Sequence, residues 1–317
     1  MFLQQKKPRG GVAEFLSGGE KISVTAGHNL RYNPFMQNIF VTYHKDCIDG
    51  TSAAAVALRK FPEAQLFPLS HGCSPEDIAL ILAQATPGTL LYTVDSGLGA
   101  REFLAEGFQV TTIDHHLGAK ELFETLAREN SNYTYVFDNE KSAATLTWAY
   151  LFPDEPQLEM LKYVEDGDLW RWQYGEDTKD ITNYLSIFQN DPKSMLAVLE
   201  GEFETAKSNG KVISMYADKE IEAQIVLPPI ILQIDGHQIA AYNITVYESM
   251  SGNILSEKSG TVAIMFTIKG EQVKMSFRSK DGQSPSALNL AKSLGGGGHV
   301  LAAGADIPLQ QFLKMIV

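Results

Sequence analysis

Three groups of Asp and His residues could bind divalent metal ions, and each follows an apolar, β-branched stretch of the chain. They are His44-Lys45-Asp46-Cys47-Ile48-Asp49-Gly50, Asp95-Ser96-Gly97 and Asp114-His115-His116. Hard cations such as Mn²⁺ and Mg²⁺ prefer carboxylate oxygens, and imidazole extends the choice to Fe, Co and Zn. Two such ions about 4 Å apart can activate a water and hold a phosphoryl group for in-line displacement. The pattern therefore predicts a two-metal hydrolytic site.

The candidate metal ligands come from these groups and from a later acidic segment. They are His44, Asp46, Asp49, Asp95, His115 and an acid near residue 166, for which Asp166 and Asp168 compete. Each residue alone has an ordinary alternative, because an Asp after a strand often caps a helix and a single His often lies on the surface. Their shared position at three strand ends favours one metal site.

The elements that would position these residues alternate between strand and helix. Strands are predicted at 39–43, 64–68, 89–94, 109–113 and 133–137, with helices near 51–61, 75–85, 100–106 and 119–130. Alternation at this spacing indicates βαβ units, and therefore an α/β fold with a parallel five-stranded sheet flanked by helices. Ligands of such open sheets bind outside the carboxyl ends of the strands, which is where the three groups fall.

The rest of the chain suggests a three-part organisation. Residues 1–35 are an N-terminal extension, either a leader or a packing arm, and residues 36–228 form the catalytic domain with a mostly helical connector from 141 onward. The double proline in Leu227-Pro228-Pro229 breaks the helix and marks a boundary. Residues 229–317 are predicted to form a smaller α+β domain. Its strands lie near 230–234, 238–242, 261–267 and 272–278, with helices near 250–257 and 285–293.

Charge and composition narrow the classes of partner and compartment. Residues 36–229 carry 14 Lys and Arg against 30 Asp and Glu, a balance of −16, so a grip on long duplex nucleic acid through many phosphate contacts is not expected. No run of about 18 apolar residues predicts a membrane span. The two cysteines, Cys47 and Cys73, make no disulfide framework, so a cytoplasmic protein is expected. A homodimer is compatible with the sequence.

Two motifs resemble those of a known family. Asp114-His115-His116 resembles the signature of the DHH phosphoesterase superfamily, and Gly295-Gly296-Gly297-Gly298-His299-Val300-Leu301-Ala302-Ala303-Gly304 resembles the GGGGH-x-x-A-A-G motif of the associated DHHA1 substrate-binding domain. The motifs occur in the family's order, and the resemblance covers residues 36–317. It implies a RecJ-like or oligoribonuclease-like phosphoesterase with two Mn²⁺ per chain, for which Mg²⁺ or Co²⁺ could substitute.

The resemblance also implies roles for individual residues. His44 and Asp49 match the first metal motif, and Asp95 matches the second, whose carboxylate bridges the metals. His115 matches the metal-binding histidine, which Asp114 would orient. His116 would contact the substrate phosphate. Asp166 is the better match to the last acidic motif.

One position departs from the family pattern. Many members have two aspartates one residue apart before the glycine, whereas the residue two before Asp49 is Cys47. Asp46 could serve as the ligand through a shifted loop, or Cys47 could be a soft ligand or a structural residue.

Further residues are expected to bind substrate. The backbone of Gly296, Gly297 and Gly298 can approach a phosphate closely, His299 adds a polar contact, and Arg278 ends a predicted strand as a phosphate clamp. Trp170 and Trp172 could stack a base or pack in the core.

The expected substrate is a short oligonucleotide or a small nucleotide, cleaved at a phosphodiester or phosphomonoester bond. Two alternatives stay open. One is hydrolysis of polyphosphate or pyrophosphate, and the other is a nucleotide-binding regulatory protein with an impaired metal site.

Overall fold

A computed structural model describes residues 38–70 and 72–317, together with the backbone of residues 12–17 and 20–25. The chain divides into two compact units, residues 1–213 and 214–317. The division falls inside the helix Phe203–Gln224, earlier than the predicted boundary at residue 228, because this helix runs from one unit into the next. Among the described residues, no helix has both the length and the apolar composition that crossing a bilayer requires.

The first unit is built on one sheet with helices on both faces. Its strands are β1 Val12–Ser17, β2 Glu20–Thr25, β3 Ile39–His44, β4 Gln65–Leu69, β5 Leu90–Val94, β6 Gln109–Asp114 and β7 Tyr133–Phe137. Its helices are α1 Ile48–Lys60, α2 Pro75–Leu82, α3 Ala100–Ala105, α4 Lys120–Glu129, α5 Ala143–Leu151, α6 Leu161–Asp168, α7 Glu176–Leu185, α8 Pro192–Leu199 and α9 Phe203–Gln224. Short 3-10 turns occupy Leu117–Ala119 and Ser186–Phe188.

The five predicted strands form a parallel sheet in the order β4-β3-β5-β6-β7. The predicted α/β fold class of this unit is therefore confirmed. Within the described residues the sheet also gains the antiparallel pair β1–β2, which joins at β7 through Ser23↔Phe137 and Val24↔Val136. Part of the predicted N-terminal extension thus consists of strands of this sheet. The remainder of residues 1–35 lies outside the described residues.

Side chains that alternate along the central strands pack into two apolar layers, one on each face of the sheet. In β3, Val41 and Tyr43 pack with α1 and α5, whereas Phe40 packs with the helices of the opposite face. Helix α1 carries a run of small residues, Ala53–Ala57, whose side chains are fully buried, and it packs closely against α5 and α8. This burial on both faces accounts for the near-continuous apolar character of the strands.

The second unit has a mixed sheet in the order β12-β13-β11-β10-β9-β8. Its strands are β8 Ile230–Ile234, β9 His237–Asn243, β10 Ala263–Lys269, β11 Gln272–Arg278, β12 Gly297–Gly298 and β13 Ala302–Pro308. Its helices are α10 Glu248–Ser259, α11 Ala287–Ser293 and α12 Leu309–Lys314. The predicted α+β class is confirmed. The sequence did not predict β13, and it did not predict β12, because a run of glycines carries no apolar alternation.

Candidate metal centre

The turn from β3 into α1 supplies the first group of polar side chains. His44 ends β3, Cys47 is the N-cap residue of α1, and Asp49 lies in the first turn of that helix. The two oxygens of Asp49 accept hydrogen bonds from the backbone N–H groups of Ala143 and Ala144, at 2.7 and 2.9 Å. The N-terminus of α5 therefore fixes this carboxylate, and its exposed N–H groups favour the negative charge.

Gly50 is required by this turn. A Cβ atom at residue 50 would lie 2.3 Å from the carbonyl oxygen of His44 and 2.9 Å from Oδ2 of Asp95. Any side chain would therefore push apart two of the candidate ligands.

Asp95 follows β5 in the left-handed backbone region, with φ of 56°. Its side chain is 1% exposed, yet neither oxygen accepts a hydrogen bond. Imidazole nitrogens approach both atoms from different sides: His44 Nδ1 lies 3.4 Å from Oδ2, and His115 Nε2 lies 3.3 Å from Oδ1. A buried carboxylate without hydrogen-bond donors normally costs several kcal/mol unless a cation neutralises it.

The Asp114-His115-His116 segment delivers two imidazoles in different roles. His115 Nε2 lies within 3.8 Å of carboxylate oxygens of Asp49, Asp95 and Asp168. Asp114, the last residue of β6, accepts a 2.7 Å hydrogen bond on Oδ1 from the ring Nδ1 of His116 and two more from the backbone N–H groups of His115 and His116. The prediction that Asp114 orients the ring of His115 is therefore wrong, because its carboxylate holds the ring of His116.

The structure separates the two competing acids of α6. Asp168 Oδ2 lies 3.5 Å from His115 Nε2 and belongs to the cluster. Asp166 instead accepts hydrogen bonds from the backbone N–H groups of Gln173 and Tyr174, at 2.8 and 3.3 Å, and from the hydroxyl of Thr178. The prediction of Asp166 as the ligand is not supported by this geometry, since its oxygens hold the segment that follows α6.

Asp46 also lies apart from the cluster. Its backbone N–H donates to Oδ1 of Asn190 at 2.8 Å, and Asn190 Nδ2 donates to Oδ1 of Asp46 at 2.7 Å. Its backbone is left-handed, with φ of 55°, and its side chain is exposed. The predicted ligand role of Asp46 is therefore not supported. The next residue, Cys47, lies in the group with His44 and Asp95 instead.

Three groups of donor atoms result, each with its ligand atoms within 4.8 Å of one another. One of them, Asp95 with Asp114, His115 and His116, shares Asp95 and His115 with the other two. We call His44, Cys47 and Asp95 the His44 site, and Asp49, His115 and Asp168 the His115 site. Asp95 presents Oδ2 to the His44 site and Oδ1 to the His115 site, as a bridging carboxylate would. Oxygen, nitrogen and sulfur donors of this kind fit divalent metal ions.

The pKa shifts of the clustered groups also support the binding of divalent cations. Burial and the charge of Asp95 raise the pKa of Asp49 to about 6. Burial opposes protonation of His115, but Asp95, Asp49 and Asp168 outweigh it and raise its pKa to about 10. Burial and Asp49 likewise raise the pKa of Asp168 well above its ordinary value. Without a cation the cluster therefore retains protons, which metal binding would displace.

The charges of the clustered carboxylates also act on the thiol of Cys47. Burial, reinforced by Asp95, Asp168 and Asp49, raises the pKa of its thiol well above the ordinary value. The thiol is therefore protonated at neutral pH in the metal-free protein.

The remaining predicted residues belong to the second unit. Arg278 ends β11 and is half-buried, and its guanidinium donates to the carbonyl of Phe277 and to Oγ of Ser249, at 2.8 and 2.7 Å. Burial lowers its pKa, although the guanidinium stays charged at neutral pH. Its phosphate-clamp role stays a prediction.

The glycine run has a structural role that the sequence did not predict. A Cβ at Gly296 would lie 2.1 Å from the carbonyl of Gly304, and one at Gly298 would lie 2.7 Å from the carbonyl of Ala302. The N–H groups of Gly296 and His299 donate to the carbonyls of Ala291 and Ala302. These N–H groups are therefore not available to a phosphate, and the glycines allow β12 to pass closely along β13. Substrate binding by Gly296, Gly297, Gly298 and His299 stays a prediction.

Comparison with known proteins bears on both units. Residues 238–317 match the family profile of the DHHA1 domain. RecJ from Thermus thermophilus, solved in complex with Mn²⁺, superimposes with a TM-score of 0.51 and 17% identity over 88% of this chain and 50% of that chain. The chain contains a DHHA1 domain in its second unit. Its fold is similar to that of RecJ.

Two further proteins are similar to this chain, one in its fold and one in part of its sequence. CDC45 from Entamoeba histolytica superimposes with a TM-score of 0.50 and 10% identity over 88% of this chain and 94% of that chain. An uncharacterized protein, R106, from Acanthamoeba polyphaga mimivirus is 31% identical over 72 residues, which is 23% of this chain and 16% of R106. The predicted DHHA1 domain and the predicted RecJ-like fold are confirmed.

Sequence reasoning missed two interactions that support the site. A mostly helical segment from residue 141 onward was predicted, but not that the first N–H groups of α5 bind Asp49. Asn190, which holds Asp46 from 144 residues away, gave no signal in the local pattern. Pairings over such distances follow from tertiary packing, which the strand-end pattern does not specify.

Proposed function

We propose that this protein is a metal-dependent phosphoesterase of the DHH superfamily that hydrolyses ester bonds of short oligonucleotides or small nucleotides. The observation that carries the proposal is Asp95, a buried carboxylate whose two oxygens lack hydrogen-bond donors and face two separate donor sets. Two divalent cations bound there would supply Lewis acidity and an activated water for attack on phosphorus. Mn²⁺ is the proposed metal, with Mg²⁺ and Co²⁺ as alternatives.

His116 is proposed to contact the phosphate. Asp114 accepts a 2.7 Å hydrogen bond from its Nδ1, which orients the ring. Burial lowers the pKa of His116, but the hydrogen bond to Asp114 outweighs it and the pKa is raised. The raised pKa favours the protonated imidazole, which can donate a hydrogen bond to a phosphate oxygen as negative charge develops there.

Two features favour a short nucleotide substrate. The balance of −16 over residues 36–229 disfavours extended contact with a phosphate polymer. Trp170, two residues after Asp168, is 40% exposed and packs edge-on against Trp172, with ring centroids 5.0 Å apart. An exposed indole so close in sequence to a proposed ligand can stack a nucleobase. A polyphosphate has no base to stack and would make no use of this face.

The experiment measures Mn²⁺-dependent hydrolysis by the full chain over di- to pentanucleotides, cyclic dinucleotides, 3′-phosphoadenosine 5′-phosphate and polyphosphate. We expect turnover of one of the nucleotide substrates that is lost in EDTA. Asp95→Asn keeps the shape of the side chain and removes its charge. Since metal activation is worth several kcal/mol of barrier, we expect this variant to lose about a thousandfold or more in rate.

Asp46→Asn is the matched control, because it removes a carboxylate of the same loop that bonds Asn190 and not the cluster. It should keep most of the activity. Comparable activity of the Asp95 variant and the wild-type protein would refute the assigned centre. Nucleotide binding without turnover, with fewer than two Mn²⁺ per chain at saturation, would favour the regulatory alternative. Preference for polyphosphate would overturn the substrate class only.

A further inference from the structure

Cys47 is the N-cap residue of α1, and its thiol belongs to a group with His44 and Asp95 whose ligand atoms all lie within 4.8 Å of one another. The neighbouring carboxylate of that group, Asp95, is 1% exposed and has no hydrogen-bond donor on either oxygen.

No carboxylate competes with the thiol from the same loop. Asp46, one residue earlier, is held by reciprocal hydrogen bonds to Asn190 at 2.8 and 2.7 Å. Asp49, two residues later, has both oxygens on the N-terminus of α5 and contributes to the His115 site. The two sites therefore differ in donor chemistry. The His44 site offers nitrogen, sulfur and oxygen, whereas the His115 site offers only nitrogen and oxygen.

We propose that Cys47 Sγ is a metal ligand, so that the His44 site prefers a thiophilic cation such as Zn²⁺ or Co²⁺ over Mn²⁺ and Mg²⁺ more strongly than the His115 site does. This inference deepens the proposed function and rests on its metal centre. Thiolate ligands favour Zn²⁺ and Co²⁺, whereas Mg²⁺ and Mn²⁺ prefer oxygen. The thiol proton leaves to solvent as the sulfur–metal bond forms, so no oxidant is needed.

The test uses Co²⁺ as a spectroscopic probe of the full chain under reducing conditions. We expect two Co²⁺ to bind and one thiolate-to-cobalt charge-transfer band to appear in the near ultraviolet. Cys47→Ser should abolish the band, and Cys73→Ser, which changes the other half-buried cysteine, should leave it intact. Bound metal should also protect Cys47 and not Cys73 from alkylation, a measurement that needs no variant.

Metal selection is measured by equilibrating the protein with equal Zn²⁺ and Mn²⁺ and analysing the bound metals. Wild-type protein should hold more Zn²⁺ relative to Mn²⁺ than Cys47→Asp does, because replacing the thiolate by a carboxylate lowers the preference for zinc. Zn²⁺ binding by Cys47→Ser should weaken at least tenfold, since loss of even an outer hydrogen-bond partner of a ligand typically costs about 10–100-fold.

The outcomes separate this inference from the proposed function. Two bound Co²⁺ without a thiolate band, or a band that survives Cys47→Ser, would overturn the ligand role and leave the phosphoesterase intact. Fewer than two Co²⁺ per wild-type chain would overturn both.

Discussion

Asp166 and Asp168, two residues apart on α6, should give opposite phenotypes when each is replaced by alanine. Asp166 is 3% exposed and accepts hydrogen bonds from Gln173, Tyr174 and Thr178. Asp166→Ala would leave two N–H groups and one hydroxyl without an acceptor. At about 1 kcal/mol or more for each, the unfolding free energy should fall by about 3 kcal/mol. In a unit of this size that lowers Tm by about 6–12 °C.

Asp168→Ala should leave the stability of the metal-free protein nearly unchanged. The pKa of Asp168 is raised well above its ordinary value by burial and by the nearby Asp49, so its charged form is disfavoured in the fold. Its removal relieves this repulsion but deletes a ligand of the His115 site. The wild-type protein should gain about 2.7 kcal/mol at Mn²⁺ concentrations a hundredfold above Kd. Asp168→Ala should lose most of this gain.

Thermal unfolding in EDTA and in Mn²⁺, combined with metal analysis after dialysis, measures both effects. Asp166→Ala should start from a lower Tm in EDTA and still gain stability from Mn²⁺. Asp168→Ala should match the wild-type protein in EDTA and gain little. The reverse pattern would show that Asp166 is the ligand and that the hydrogen bonds of its carboxylate do not hold the segment after α6.

Two further predictions concern protons and packing. Because burial is outweighed by Asp95, Asp49 and Asp168, the metal-free pKa of His115 is about 10, so binding a cation must release its proton. Mn²⁺ affinity should therefore rise by at least about tenfold for each pH unit between pH 7 and 9. Calorimetry in buffers of different ionisation enthalpy should count the released protons; a flat profile would contradict this. Gly50→Ala should cost about 1–3 kcal/mol and weaken metal binding, because its Cβ would lie 2.3 Å from the carbonyl of His44. Gly72→Ala, where nothing lies within 4 Å, should have neither effect in the same denaturant titration.

The sequence predicted the strand ends of the site well because periodicity governs them. Apolar runs bounded by polar residues placed β3, β5 and β6 within a residue of their observed limits. The parallel order then brought His44, Asp95 and His115 to one edge. These three residues are positioned by the sheet itself, so their convergence follows from topology.

The ligand predictions that the structure does not support concern residues whose side-chain direction is not set by backbone periodicity. Asp46 lies in a left-handed turn, with φ of 55°, which directs its side chain to Asn190 and leaves the next residue, Cys47, at the cluster. Asp166 and Asp168 lie at the end of α6, about 200° apart around a helix of 3.6 residues per turn, so only one can face the cluster. The family match favoured Asp166, and the local sequence alone could not decide the rotation of the helix.

His115 explains how the first unit tolerates three carboxylates at one point. Asp49, Asp95 and Asp168 would repel one another when charged, and each has an oxygen within 3.8 Å of His115 Nε2. In the metal-free protein the protonated imidazole is their counter-ion, which is why its pKa is raised to about 10. A divalent cation brings more positive charge to the same place and needs the neutral ring as a ligand. One side chain can therefore stabilise the empty centre and bind metal in the filled one, so metal loss need not unfold the sheet that supports the site.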